Sequence, residues 1–446
     1  MTHADVVVVG GSAAGIVAGI SCRRRHPDKK VVLVRKEEQV LVPCGIPYIF
    51  GTVGSPEKDL IPDALLSTNG IELVKDQAIA LDRGNKSVSL QSGEAIRYDK
   101  LVLATGSLPM RLPIAGSDKE NVFVVSKDVA YLRQMQEQMQ DAKDIVIIGG
   151  GFIGVEFADE CKKGTNANVS IVEVLPHCLQ LALDPEFCTE AEATLTERGV
   201  NLYTEKKIEA ILGDDKVTGV KLTSGEEIRA DLVIMGVGAV PNVELAENAG
   251  IDIGPTKAIA VDNYMRTLTD PDVFACGDCA EKRSFFTGRL SPIMLASVAT
   301  AEARVAGANI FGTCCRNPGE IGVWSTIVGE KAFGCAGLTE IAANKDGFEV
   351  VVGESATVDR HPGGMPGAAP TKVKLVFCKK SGLLLGGGTS GGRGVGELVN
   401  VISACIQHGM TAHEVSLFQM GTHPALTASP IAYQLVNAAE LAAARL

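Results

Sequence analysis

Two uninterrupted apolar runs each end in clustered glycines and pass at once into sequence with helical periodicity. The first, VVVV at 6–9, leads into Gly10, Gly11, Ser12, Ala13, Ala14 and Gly15. The second, IVII at 145–148, leads into Gly149, Gly151, Phe152, Ile153 and Gly154. β-Branched runs without polar alternation fit strands buried on both faces of a parallel sheet. A glycine turn between such a strand and a helix points free backbone N–H groups, and the positive end of the helix dipole, at one spot. That spot suits a pyrophosphate.

Spacing alone does not establish such a site. With 49 glycines in 446 residues, three at this spacing arise by chance roughly 0.6 times. A third set, Gly386, Gly388 and Gly391, has the spacing but follows two short strand-like runs and has no acidic residue at the end of a second strand. It is expected to be loop and helix start. The other two turns each open a β–α–β pattern. After the second, a helix runs through Lys163 and the strand VSIVEV ends near Glu173, a carboxylate placed to accept both hydroxyls of an adenosine ribose and to repel a 2′-phosphate. After the first, the strand KKVVLVRKEE puts Arg35, followed by Lys36, where that acid usually stands. Glu37, Glu38 or backbone groups are the substitutes open at this ribose.

The alternation of strand and helix divides the chain. Residues 1–118 hold the first unit and the ATG segment at Thr105 and Gly106; residues 119–252 hold the second and close with a strand, Gly238 and a proline. Residues 253–318 return to the first unit through a buried strand ending in Cys276, Gly277 and Asp278, a carboxylate at the C-terminal edge of a sheet. Residues 319–446 change to short strands, glycine-rich loops and an alanine-rich terminal helix, with the look of an interface domain. The expected class is α/β: two Rossmann-like dinucleotide-binding domains with a C-terminal α+β dimerisation domain.

Composition removes several alternatives. A net charge of −11 without a basic block argues against nucleic acid. No apolar run approaches the ~20 residues of a membrane span, and the chain enters a strand at Asp5 without a signal peptide, so a cytoplasmic protein is expected. Twelve cysteines in that compartment are expected to be reduced, and the single CxxC at Cys276 and Cys279 lacks the companions of a zinc site, so no metal is expected. Cys44, in VPCGIPY, stands apart. Pro43 and Gly45 bracket a loop-to-helix junction, a setting expected to favour thiolate over thiol. No cysteine follows four or five residues later, so its oxidised form is a sulfenic acid, a persulfide or a mixed disulfide.

In the order and separation of the ATG, GGGFIGVE and ACGDCAE segments, nearly the whole chain resembles the pyridine nucleotide-disulfide oxidoreductases. It is most similar to their single-cysteine branch of coenzyme A-disulfide reductases, NADH-dependent persulfide reductases, NADH oxidases and NADH peroxidases. The resemblance implies FAD on the first turn, Asp278 on the flavin ribityl chain, NADH on the second turn, and a homodimer formed by the tail. It also implies a helix N-terminus at Leu295, Ala296 and Ser297 near the flavin ring, Glu156 beside the nicotinamide, Phe152 covering the flavin until NADH arrives, and Cys44 as the redox cysteine. His423, in THPALTASPIAY, matches a His-Pro that supplies an acid–base group in two-cysteine relatives; their supporting glutamate is Ala428 here, and Tyr433 is the other candidate. Peroxidases and water-forming oxidases of this branch carry a histidine in the first turn where this chain has Ala13, whose methyl transfers no proton.

Arg23, Arg24 and Arg25 end the first helix. They suit its negative dipole end, and Arg24 and Arg25 are equally candidates for the phosphates of coenzyme A. The expected activity is therefore an FAD-dependent NADH oxidoreductase that reduces a small disulfide, a coenzyme A persulfide or a polysulfide. The alternatives are an NADH oxidase acting on oxygen, or an NADH-binding redox sensor with little turnover.

Overall fold

In the computed structural model, which describes residues 2–446, the first valine run becomes strand Thr2–Val9 at the centre of a seven-stranded sheet. It pairs in parallel with Val31–Arg35 on one side and Ala95–Leu103 on the other. Ile71–Lys75 continues the sheet outward, Ser87–Leu90 and Ala78–Asp82 close the far edge, and Val273–Ala275 also pairs with Ala95–Leu103. Val6, Val7, Val8, Val31, Val32, Leu33 and Val34 are all buried, as apolar runs without alternation require. Helix Ala13–Arg25 crosses this sheet and packs closely on helix Ala296–Asn309. A Cβ on Gly307 would lie 2.7 Å from the Ala18 carbonyl oxygen, so only glycine lets the two backbones approach this far.

The second run is the middle strand of a five-stranded parallel sheet. Its order is Val122–Val124, Leu232–Met235, Asp144–Ile148, Asn168–Val172 and Val200–Tyr203. The helix after the second turn runs Phe152–Gly164, in agreement with the expected end near Lys163. Where the chain leaves the first unit, Ser107–Pro109 pairs antiparallel with Ala239–Pro241, the segment by which it returns.

An antiparallel five-stranded sheet forms the third part, ordered Val323–Val328, Lys331–Gly337, Leu384–Gly391, Pro370–Cys378 and Val350–Val358. Lys374 of this sheet is buried and joins Glu186 and Glu340, each at 2.8 Å, and Asp184 at 3.4 Å, tying the sheet to helix Pro185–Glu197. Here one expectation fails. Gly386, Gly388 and Gly391 are not loop and helix start; they lie in the fully buried strand Leu384–Gly391. A Cβ on Gly386 would meet the Leu338 carbonyl oxygen at 2.0 Å, and one on Gly388 would meet Phe187 Cε2 at 2.6 Å. These glycines answer close neighbours on both faces of a strand.

Candidate active site

The first turn is closed by contacts that exclude any side chain. Gly10 has φ +116°, and a Cβ there would lie 2.1 Å from the Ala104 carbonyl oxygen; one on Gly15 would lie 1.9 Å from the Gly10 oxygen. Ser12 stands at the N-cap, and helix Ala13–Arg25 has neither a side-chain cap bond nor an acidic residue in its first turn. Its first N–H groups therefore lack an internal acceptor and suit an anionic phosphate at Ser12, Ala13 and Ala14. Arg35 is buried with its stem under Gly11, where a Cβ would be 2.5 Å from Arg35 Cδ. Its guanidinium turns away to Asp63 at 2.6 Å and to the carbonyls of Glu37 and Glu38 at 2.8 and 2.9 Å, beside exposed Lys36. Arg35 thus braces the 36–38 loop. The carboxylate beside it is that of Asp63, while the Glu38 carboxylate pairs with Lys75 at 3.0 Å.

Thr105 and Gly106 are bonded to the segment that follows Gly238. The Thr105 hydroxyl donates to the Asn242 carbonyl at 2.6 Å, and the Asn242 N–H donates to the Gly106 oxygen at 2.9 Å. Gly106 (φ +72°) and Gly238 (φ +95°) both face open space: a Cβ on either would have nothing within 4 Å. Such bare backbone on a cleft accommodates a large planar cofactor. Asp278 follows Gly277 (φ +80°); its carboxylate accepts the Ser107 hydroxyl at 2.7 Å and lies 4.0 Å from Lys127. Leu295 caps helix Ala296–Asn309, whose first residues, Ala296 and Ser297, are exposed.

The second turn repeats the first. A Cβ on Gly154 would lie 1.9 Å from the Gly149 oxygen, and Gly151 faces open space. Helix Phe152–Gly164 again lacks a capping side chain and a first-turn acid. Glu173 is buried directly after strand Asn168–Val172; its two oxygens accept the N–H groups of Gly150 at 2.6 Å and Leu175 at 2.7 Å. That fixes the carboxylate beside the turn. Ile153 is exposed, and the Phe152 ring stacks on Trp324, the only tryptophan, with centroids 6.4 Å apart and planes 13° from parallel.

Cys44 sits at the start of a short 3₁₀ helix, Pro43–Phe50. That helix is moored to helix Phe152–Gly164: the buried Glu160 carboxylate accepts the Thr52 N–H at 2.6 Å and hydroxyl at 2.9 Å, and Phe50 packs on Phe157. Eight of the twelve cysteines are buried, Cys276 and Cys279 among them, whereas Cys44 and Cys314 are exposed. The expectation of a thiolate-favouring setting is not met by the protein's own groups. Protein packed around Cys44 pushes its thiol up, the nearby Glu156 carboxylate adds to this, and Lys127 opposes it. The packed protein is the main cause, and the acids Asp278 and Asp59 act in the same direction as Glu156.

Glu156 is itself raised to about 7, first by burial and then by Glu160, while a 2.8 Å bond from the Thr326 hydroxyl pulls it back. Burial and Glu156 also raise the phenol of Tyr48, four residues after Cys44. Tyr48, Ser325, Thr326, Ile327 and Arg393 line a cavity of about 240 Å³. Because the folded carboxyl titrates above its unfolded value of 4.5, its stabilising share is full below that pH and is lost as pH rises through about 7. Glu156→Gln keeps an acceptor for Thr326. Its unfolding free energy relative to the parent is expected to improve by about 2 kcal/mol from pH 4 to pH 8, the full shift being reduced by water in the cleft. A constant difference across thermal melts in this range would remove the assignment.

The remaining candidates are not gathered at this site. His423 is exposed and its Nδ1 accepts the Ala425 N–H at 3.2 Å; Tyr433 packs on the C-terminal core, which raises its phenol by burial. Neither is bonded to Cys44 within the chain. Arg24 is exposed, and Arg25 donates to Cys314 Sγ at 3.4 Å. Lys127, Ser107, Thr326, Tyr48 and Asp63 escape sequence reasoning because none lies in a glycine turn or beside Cys44 except Tyr48, whose role depends on Glu156. Among the described residues no cluster of three or more His, Cys, Asp or Glu could hold a metal, and no helix is long and apolar enough to cross a membrane.

A family pattern described as pyridine nucleotide-disulphide oxidoreductase matches residues 4–303, and the dimerisation domain of the same family matches residues 323–431. The chain is 33% identical over 388 residues to an NAD(P)H coenzyme A polysulfide/persulfide reductase of Pyrococcus horikoshii, covering 85% of this chain and 86% of that one. It is 29% identical over 422 residues to an NADH oxidase of Methanocaldococcus jannaschii, covering 92% of each. The solved NAD-dependent persulfide reductase from A. fulgidus superposes with a TM-score of 0.91 at 31% identity, over 99% of this chain and 83% of that chain.

Proposed function

We propose that this chain, which belongs to the pyridine nucleotide-disulphide oxidoreductase family, uses NADH to reduce a low-molecular-weight disulfide, persulfide or polysulfide at Cys44, with a coenzyme A derivative as the preferred acceptor. The observation that carries this is one exposed thiol, on a helix moored to the helix that follows the second turn, under the influence of Lys127 and Glu156. Members of this family use FAD and NAD(P)H. Bound at the first turn, FAD supplies a two-electron carrier between nicotinamide and sulfur.

The chain's own residues divide the remaining work. Gly10, Gly11, Ser12, Ala13, Ala14 and Gly15 cradle the FAD pyrophosphate, and Arg35 holds the loop beside its ribose. Asp278, kept in place by Ser107, would hold the ribityl chain, and the exposed helix N-terminus at Ala296 and Ser297 would favour negative charge on the ring. Gly149, Gly151 and Gly154 seat NADH, with Glu173 on its ribose. Phe152, stacked on Trp324, and Glu156 border the nicotinamide path. Cys44 Sγ attacks a substrate sulfur, forms a mixed disulfide or persulfide, and expels a thiol or sulfide. The protonation of the leaving group falls to His423 or Tyr433 of a second copy in a homodimer. Three domains, 1–118 with 253–318, 119–252 and 319–446, and a cytoplasmic location complete the proposal.

For a disulfide the balance is RSSR + NADH + H⁺ → 2 RSH + NAD⁺; for a persulfide it is RSSH + NADH + H⁺ → RSH + H₂S + NAD⁺. Anaerobic assays that count thiol and sulfide per NADH distinguish the two. The NADH oxidase reading is favoured by the relatives of that name, and is opposed by Ala13. It wins if NADH is consumed only when oxygen is admitted. Cofactor choice offers an independent check. The preference for NADH over NADPH is expected to narrow by roughly 1–2 kcal/mol in kcat/KM when Glu173 becomes Gln. An unchanged ratio would take the ribose role from Glu173.

A further inference from the structure

A second thiol group lies at the end of helix Ala296–Asn309, where Cys314 and Cys315 are the only adjacent cysteines of the chain. Asn309, 4% exposed, holds both backbones. Its Oδ1 accepts the N–H of Cys314 at 2.8 Å and of Cys315 at 3.1 Å, and its Nδ2 donates to the Cys315 carbonyl at 2.7 Å. Three bonds to one buried amide fix the dipeptide on the end of a helix instead of leaving it in a free loop. Cys314 is exposed, and the exposed Arg25 donates to its Sγ at 3.4 Å. Cys315 is half-buried; burial and the neighbouring Cys314 thiol hold its proton on, and Arg25 opposes them. One sulfur thus faces solvent beside a cation, and a second waits one residue away. An attacking thiol and a resolving thiol need this division.

We propose that Cys314 and Cys315 form a second thiol–disulfide exchange site, separate from Cys44, for anionic low-molecular-weight disulfides. Cys314, as thiolate, attacks one sulfur of RS–SR. The Cys314–SR bond forms, the RS–SR bond breaks, and RS⁻ leaves to take a proton from water. Cys315 then gives its proton to solvent and attacks the Cys314 sulfur, which forms the Cys314–Cys315 bond and expels the second RS⁻. Two electrons and two protons pass from the pair to the disulfide, giving two RSH. Adjacent Cα atoms lie about 3.8 Å apart across a trans peptide, inside the ~4.4 Å lower limit of ordinary disulfides. The product is therefore strained and readily reopened by a small-molecule thiol, which takes the two electrons back to the pair and is itself oxidised to a disulfide. Arg25 gives the site its preference, because a guanidinium against the attacked thiol draws the carboxylates or phosphates of the incoming disulfide.

The test uses the holoenzyme under argon without NADH, so that it does not depend on the acceptor reduced at Cys44. The protein is exposed to glutathione disulfide, which is anionic, or to cystamine, which is cationic, and its peptides are weighed. With glutathione disulfide, the peptide bearing Cys314 and Cys315 is expected to lose the mass of two hydrogens and to regain it with dithiothreitol. Cys315→Ser is expected to stop at a glutathione adduct on Cys314, and Cys314→Ser to leave Cys315 unmodified. Arg25→Gln is expected to slow modification by glutathione disulfide about tenfold relative to cystamine, a loss that shrinks at high salt. The proposal is overturned if both thiols stay free while Cys44 reacts, if Cys315→Ser traps no adduct, or if Arg25→Gln leaves the ratio of the two rates unchanged.

Discussion

Cys44→Ser is expected to lower anaerobic reduction of disulfides and persulfides by roughly 10³-fold or more, while NADH still bleaches the flavin at close to the parent rate. In the proposed reaction hydride transfer draws on the two glycine turns, on Glu173 and on Glu156. None of these needs a sulfur at position 44. Transfer to an acceptor does need one, because a serine hydroxyl neither forms a disulfide with the substrate nor ionises near neutral pH. The substitution removes little volume at an exposed position, so FAD content and melting temperature serve as controls for folding. Oxygen reacts with reduced flavin directly, so any oxidase activity should persist. A variant that reduces disulfides as fast as the parent would place sulfur chemistry elsewhere.

Gly154→Ala is expected to uncouple NADH from an otherwise intact flavoprotein. The added methyl would sit 1.9 Å from the Gly149 oxygen, and that carbonyl belongs to a residue held at φ +102°, so the helix start must move away from the turn. A displacement of this size where the turn would seat the NADH pyrophosphate, and so orient the nicotinamide, is expected to cost on the order of 10²-fold in flavin reduction by NADH. The FAD content and bleaching by dithionite should be unchanged. Gly15→Ala, whose methyl meets the Gly10 oxygen at the same 1.9 Å, is expected to lose FAD instead. If the two variants shared one phenotype, the assignment of one dinucleotide to each turn would fail.

Both turns are legible in sequence because each is local: a buried strand, glycines and a helix start lie close together along the chain. Glu173 is legible for a similar reason, since it follows a strand at a defined distance from its turn, and Asp278 because it follows a buried apolar strand. The groups that surround Cys44 are not. Lys127, Glu156 and Asp278 come from three separate segments, and the docking of the 43–50 helix onto Phe157 and Glu160 sets Cys44 among them. For Cys44 itself the sequence points in the wrong direction, because the loop-to-helix junction is visible in it and the protein packed around the thiol, with Glu156 nearby, is not. At Arg35 the missing acid is plain in the sequence, yet the partner Asp63 is brought in from a different loop. The glycines at 386–391 mislead in the opposite way. Their local signal is that of a turn, and the Leu338 carbonyl and Phe187 ring that require them are distant in sequence.

The central claim is that electrons from NADH leave this protein through sulfur at Cys44. It is tested most directly by NADH consumption under argon with coenzyme A disulfide as the only acceptor, comparing the parent with Cys44→Ser. The expected result is steady consumption by the parent with two thiols formed per NADH, and almost none by the variant. Consumption that appears only after air is admitted, and equally in both proteins, would contradict it.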